Sequence, residues 1–227
     1  MKNSLKQLHI LYEDNHLLVV EKPVGMLSQA DQTGDPDLLT LLKAYLKVTY
    51  NKPGNVFLGL VHRLDRMVGG LMVFAKTSKA ASRLSLQIRE RQFIKKYLAV
   101  VHGQIASSGT LTHYLYKNQR QNIVQVVSPD HPQGKLAELS FKRIATFQNL
   151  SLVDIDLKTG RAHQIRVQFA HSGHPLYGDR RYGKKQDEGP IALYAYHLSF
   201  LHPTKKEMMA FTLEPHTYPF TLFTHDH

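Results

Sequence analysis

The residues Val61-His62-Arg63-Leu64-Asp65-Arg66 set one carboxylate between two guanidiniums within six positions. Read as the end of a strand over Leu58–Asp65, they alternate, with Arg63 and Asp65 on one face and His62 and Leu64 on the other. An arginine in contact lowers an aspartate pKa by roughly 1 to 3 units, and an ionised carboxylate in a partly desolvated pocket is a nucleophile or a base. The same pattern also describes a surface salt bridge at a strand end, worth about 0 to 1 kcal/mol.

A second block, Gly160-Arg161-Ala162-His163-Gln164-Ile165-Arg166, reads as a helix entrance, because Ala162, Ile165 and Phe169 share a face and Gly173 with Pro175 supplies a stop. Arg161 and His163 then fall in the first turn. Cations there oppose the helix dipole at a cost of roughly 0.3 to 1 kcal/mol, which a bound phosphate or carboxylate would remove. A solvated basic face is the simpler alternative. Downstream, His174 to Gly183 places tyrosines beside arginines in a Gly-bearing loop, a composition suited to stacking on unpaired bases and contacting phosphates.

Other groups carry less. Asp154 and Asp156 share a strand face and could hold magnesium in a metal-dependent nuclease, but the alternating apolar residues fit a half-buried strand with a solvated face better. Among 14 histidines, His163, His171 and His174 suggest zinc, yet only the last two are close in sequence and no Cys or nearby Glu completes a set. We expect no metal. A Walker loop, a Rossmann glycine fingerprint and a GxSxG elbow are all missing, which weakens hydrolase, dehydrogenase and esterase readings.

The elements that must position these residues are mostly short strands. LHILY and HLLVVEKP open the chain and end at the turn signal Pro23-Val24-Gly25. Asp35-Pro36-Asp37 predicts an N-cap with Pro at the first helical position, before Leu38, Leu39, Leu42, Tyr45 and Leu46 recur at helical spacing. Leu71–Lys76 predicts a central strand, Ser78 a cap for a helix showing Ala81, Leu84 and Ile88, and Lys96–His102 a further strand. Strands are expected over Thr110–Tyr116, Asn122–Val127, Leu136–Ile144, Leu150–Leu157, Ile191–Leu201 and Met208–Leu213. Such a chain is α+β with a mixed sheet, not a regular βαβ winding.

Composition narrows the field further. The 227 residues, 42% apolar and 21% charged, fit one large domain or two intimate lobes. With no Cys there are no disulfides, iron–sulfur clusters or thiol nucleophiles. No apolar run reaches membrane-spanning length and the opening residues lack the blocks of a secretory signal, so we expect a cytoplasmic protein without a membrane partner. The 29 Lys and Arg against 18 Asp and Glu leave a net charge of +11, favouring a polyanionic partner, most often nucleic acid.

The pair VHRLDRMVGGLMVFAKT and LKTGRAHQIRVQFAHSGHPLYGDRRYG resembles the RluA family of RNA pseudouridine synthases. ILYEDNHLLVVEKPVGMLS and KKYLAVVHG resemble that family's first and middle motifs, and the four stretches stand in the family's order. The resemblance implies a pseudouridine synthase fold, with a mostly antiparallel central sheet flanked by helices and loops and a catalytic cleft across it. It implies an isomerase without cofactor that detaches a uracil from its ribose, turns it and rejoins it through carbon 5.

Residue by residue, Asp65 takes the place of the catalytic aspartate, which either attacks the anomeric carbon or removes the neighbouring ribose proton to give a glycal. Tyr97 matches the tyrosine that packs on the target base, and Arg166 the arginine that pairs with the aspartate. Arg63 matches an arginine that helps displace the base, and Ile165 or Val167 an apolar pocket wall. The same two motifs put His62, Arg161, His163 and Gln164 at the substrate. Val68-Gly69 stands where relatives commonly carry Thr-Ser after the aspartate, which removes hydroxyls near it. With about seven residues before the first motif, we expect residues 1–227 to form a single catalytic domain, without a separate N-terminal RNA-binding domain, acting as a monomer on structured ribosomal or transfer RNA. A catalytically inactive RNA-binding or assembly protein on the same scaffold is the alternative.

Overall fold

The computed structural model describes residues 8–223 as an α+β fold whose strands are mixed and mostly antiparallel. By packing they fall into two compact units. The first runs to Ile94 and includes His197–Leu213; the second comprises Lys95–Tyr196 and the residues from Glu214 onward. No helix among the described residues is long and apolar enough to cross a membrane.

In the first unit, β1 (His9–Glu13) pairs with β2 (Leu17–Lys22), and β2 with β4 (Gly69–Ala75), all antiparallel. Strand β3 is only Gly59–Leu60 and also lies along β4. Helix α1 (Leu38–Thr49) buries Leu38, Leu42 and Leu46, and α2 (Ser78–Arg89) buries Ala80, Leu84 and Gln87. Leu17, Val19, Leu71, Val73, Leu84, Phe93, Leu198 and Phe200 form the core, with Phe93 and Phe200 stacked at 5.0 Å. Every residue of β4 is buried, as its unbroken apolar run predicts.

The second unit is an antiparallel sheet in the order β5 (Ile94–His102), β9 (Leu150–Leu157), β8 (Lys135–Phe147), β6 (Ser108–Asn118) and β7 (Ile123–Val127). Helix α3 (Gln164–His171) lies against β6 and β7, and Phe169 meets Phe141 of β8 at 5.5 Å. The division between the units falls inside β10 (Leu193–Leu201), which pairs with β11 (Met208–Thr212) through His197–Leu201.

Four local expectations are corrected. The strand expected over Leu58–Asp65 stops at Leu60, so Arg63 and Asp65 do not share a strand face. The reason is a side chain: β3 pairs Gly59 with Ala75 and Leu60 with Phe74, and the next β4 amide, Val73 N–H, donates to His62 Nε2 at 3.1 Å instead of to a strand carbonyl. Asp37, not Asp35, caps α1, accepting from Thr40 N–H at 2.9 Å, while Asp35 pairs with Arg66. Thr77, not Ser78, caps α2. Helix α3 starts at Gln164 after a left-handed His163 (φ 50°), so Arg161, Ala162 and His163 precede its first turn and Ala162 is exposed.

The β1–β2 turn shows how polar groups lock these elements. Asp14 Oδ1 accepts from the amides of His16 and Leu17 at 2.7 and 2.8 Å, and Oδ2 from Tyr12 at 3.0 Å and His202 Nε2 at 2.8 Å. Burial alone would push this carboxyl up, and the donors more than offset it, bringing its pKa down to about 2. A folded-state pKa below the ordinary value of 3.8 means that its stabilisation is complete above pH 4 and lost as the pH falls toward 2. Asp14→Asn is expected to reduce the difference in unfolding free energy between pH 6 and pH 2 by about 1 kcal/mol, the exposed part of the carboxyl being screened. Urea unfolding at the two pH values checks this.

Candidate active site

Asp65 sits in the first unit on an irregular loop that backbone bonds hold at several points. Leu64, one residue before it, is buried, and its peptide is clamped by Ser28, whose hydroxyl donates to Leu64 O at 2.8 Å and accepts from Leu64 N–H at 3.2 Å. Val68 N–H donates to Asp65 O at 3.0 Å and closes a turn. Arg66 O accepts from Gly25 N–H at 2.9 Å, while Arg66 Nε donates to Gly25 O at 3.0 Å and its Nη1 to Asp35 at 2.6 Å. The Pro23-Val24-Gly25 turn and the Asp65 loop are thereby tied together, and Gly25, Met26, Asp35 and Arg66 line a shallow cleft between them.

Beneath this junction lies Lys22, the last residue of β2 and wholly buried. Its ammonium donates to Pro23 O at 3.0 Å, Met26 O at 2.7 Å and Arg66 O at 3.1 Å, which uses all three N–H groups. Burial pushes its pKa down to about 8, the Asp65 carboxylate pulls it up and Arg66 pushes it down. Lys22 is therefore both a bracket for the loop and a positive charge in the field of Asp65.

The other side chains of the motif divide. Arg63 is exposed. His62 turns its ring toward Phe93 at 5.6 Å, and its Nε2 is the acceptor that ends β3.

In the second unit, Tyr97 is buried on β5 opposite Ile155, and Phe141 lies opposite Ile155 in turn. Facing residues of paired strands share a face, so Tyr97 is on the side of the sheet that carries α3. Arg166, on that helix, is only 7% exposed. It grips Asp179 with two parallel bonds, Nε to Oδ2 at 2.7 Å and Nη2 to Oδ1 at 2.8 Å, and lies 5.0 Å over the Tyr182 ring. Burial would raise the Asp179 carboxyl, but the Arg166 bonds and charge and the amides of Tyr182 and Arg181 outweigh it and hold the pKa below its ordinary value.

Gln164 anchors the start of the helix. Its Oε1 accepts from Thr159 at 2.8 Å and Arg161 N–H at 3.0 Å, and its Nε2 donates to Glu138 O at 3.1 Å. His163 Nδ1 bonds Tyr182 Oη at 2.7 Å, and that hydroxyl also accepts from Val124 N–H at 2.9 Å. Through its hydroxyl the half-buried Tyr182 therefore braces β7 and the entry to α3. Ile165 and Val167 are buried, Val167 against Leu115, Val124 and Ala137. Arg161 is exposed. The nuclease pair is engaged elsewhere, Asp154 with Tyr196 and Lys96 and Asp156 with Lys158. Among the described residues no three His, Cys, Asp or Glu side chains gather as metal ligands.

Sequence reasoning missed Lys22, Ser28 and Asp179. A lysine ending a strand otherwise buried at four positions is a legible signal, since a cation there must find carbonyls or an acid. Ser28 and Asp179 have no signature of their own, because their partners lie 36 and 13 residues away.

The RNA pseudouridylate synthase family model matches residues 16–171. The chain is 37% identical over 223 residues to ribosomal large subunit pseudouridine synthase C of Buchnera aphidicola subsp. Schizaphis graminum, covering 91% of this chain and 67% of that one. It is 33% identical to synthase D of the Acyrthosiphon pisum subspecies, with 91% and 69% covered, so it spans about two thirds of these relatives. Human RNA pseudouridylate synthase domain containing 1 aligns at TM-score 0.74 with 25% identity over 93% of this chain and 84% of that one. Domain containing 4 shares the fold at TM-score 0.80 and 22% identity, over 97% and 94%.

Lys22→Met removes a donor from three carbonyls; Arg66 O keeps Gly25 N–H and Pro23 O keeps Met26 N–H, so Met26 O is the one left without a donor, at a cost of about 1 to 3 kcal/mol before the loop relaxes. The expected outcome is a lower urea midpoint. Asp179→Ala leaves the Arg166 guanidinium buried without its bidentate acid and is expected to cost about 3 to 5 kcal/mol, measured in the same way.

Proposed function

The chain belongs to the RNA pseudouridylate synthase family, and on that premise we propose that it isomerises uridines in ribosomal or transfer RNA to pseudouridine, with Asp65 as its catalytic carboxylate and no cofactor. The observation that carries this is that one family match runs through Asp65, Tyr97 and Arg166 together. The names of the relatives favour ribosomal RNA as the substrate. Both units serve one catalytic domain, which works as a cytoplasmic monomer.

The reaction breaks the bond between uracil N1 and ribose C1′, turns the base and forms a bond between C5 and C1′. The C5 proton leaves and N1 gains one, so the product is an isomer and no oxidant or reductant enters. An ionised Asp65 starts it, either by attack on C1′ or by removing the 2′ proton. Lys22 sets a cation in the field of that carboxylate, and the Ser28 and Gly25 bonds fix the loop that carries it. Tyr97 packs on the base and passes the C5 proton onward. Arg166 orients the carboxylate, its own guanidinium steadied by Asp179. Arg63, His62, Arg161, His163, Gln164, Ile165 and Val167 form the surroundings of the nucleotide, the last four through the packing of α3. A uridine stacked in a helix hides its glycosidic bond, so the nucleotide is taken from a loop or flipped out at a cost of a few kcal/mol.

RNA tritiated at uracil C5, incubated with the protein and a chelator, is expected to release label to water. Asp65→Asn is expected to lower that release at least a thousandfold while leaving the unfolding midpoint within a degree or two. RNA that is bound but never loses label, whatever uridines it offers, contradicts the synthase and leaves the inactive RNA-binding protein. Strand breaks that need magnesium would point to a nuclease.

A further inference from the structure

Lys95 stands two residues before Tyr97 on β5, so strand alternation puts the two side chains on one face of the sheet. It is partly buried, and burial pushes its ammonium below the ordinary lysine range with no neighbouring charge to restore it. Among the described residues it makes no hydrogen bond and no ion pair. The adjacent Lys96, on the opposite face, has Asp154 at 3.5 Å.

What faces the Lys95 ammonium is the loop leading to α3. A Cβ at Gly160 would stand 3.6 Å from Lys95 Nζ, and apart from Thr159 and Arg161, its chain neighbours, it would meet no other atom within 4 Å. The missing side chain leaves open space against the cation. Arg161, exposed beside it, spends its Nε on Leu136 O at 2.9 Å, while its two terminal nitrogens make no hydrogen bond among the described residues. Two cations thus stand at the bare backbone of Gly160, Lys95 beside it in space and Arg161 next to it in the chain. A desolvated ammonium without a partner costs free energy, which a ligand of opposite charge recovers.

We infer that Lys95 and Arg161 form a phosphate subsite over Gly160, which takes a backbone phosphate of the RNA strand beside the target uridine. Phosphate fits better than a base edge: lysine is a point charge with donors only, and an arginine with free terminal nitrogens suits two phosphate oxygens. The inference rests on the synthase reading and adds to it a contact that positions the strand without touching the reacting atoms.

Steady-state tritium release by the full chain over a series of salt concentrations tests it. Lys95→Gln is expected to raise KM about tenfold with kcat within twofold, and to make the salt dependence of log kcat/KM shallower by about 1, as for one lost phosphate contact. Lys95→Arg is expected to restore the slope. Gly160→Ala meets no backbone strain, since Gly160 is not in the left-handed region, and its methyl is expected to raise KM severalfold by filling the gap. This second variant carries the test if Lys95→Gln does not fold. A Lys95→Gln protein with wild-type KM and slope overturns the inference, as does one that loses kcat at unchanged KM. If the wild type releases no label at all, the synthase reading fails, and filter binding of the same RNA by wild type and Lys95→Gln still decides the phosphate contact by its salt slope.

Discussion

A lysine ammonium buried at the end of a strand has to give each of its three protons to an acceptor, and this constraint organises the part of the first unit that carries Asp65. Lys22 meets it with carbonyls from two chain segments, Pro23 and Met26 on one side and Arg66 on the other. Its position also sets a cation in the field of Asp65. A neutral residue could pack there, but it could not bind the two segments and contribute charge at once. Ser28 and Gly25 add backbone clamps on either side of the aspartate. An aspartate outside regular structure is thereby held by backbone bonds on both sides.

The second unit meets a parallel constraint with a different residue. Helix α3 is buried from Gln164 to Phe169, so its polar side chains must be satisfied inside the protein. Gln164 spends its amide on two backbone groups and the Thr159 hydroxyl, and Arg166 pairs with Asp179 and covers Tyr182. Gln168 keeps one buried oxygen without a partner, and Lys95 on β5 is a partly buried cation with no hydrogen bond or ion pair among the described residues. Cations satisfied internally support the site, whereas a cation left open is available to the polyanionic substrate.

Much of the fold was legible from side-chain periodicity. Strand β9 has the bounds expected for it, and β4, β5, β8 and β10 differ by a few residues at their ends. What escaped was set by polar side chains acting on backbone. His62 took the amide that would have extended β3, Asp35 left the capping position to pair with Arg66, and His163 entered the left-handed region and delayed the start of α3. The candidate residues themselves were legible as motifs. Of their supports, Lys22 left a signal in the apolar run it ends, whereas Ser28 and Asp179 did not, because each acts through a partner distant in sequence and no local pattern encodes such a pairing.

The central claim is that the carboxylate of Asp65 converts uridines in the cell's own RNA. Its most direct test is to replace the wild-type gene with one encoding Asp65→Asn, at equal protein level, and to map pseudouridines across ribosomal and transfer RNA. The account predicts that at least one position found as pseudouridine in the parent reverts to uridine. An unchanged complement of pseudouridines would contradict it.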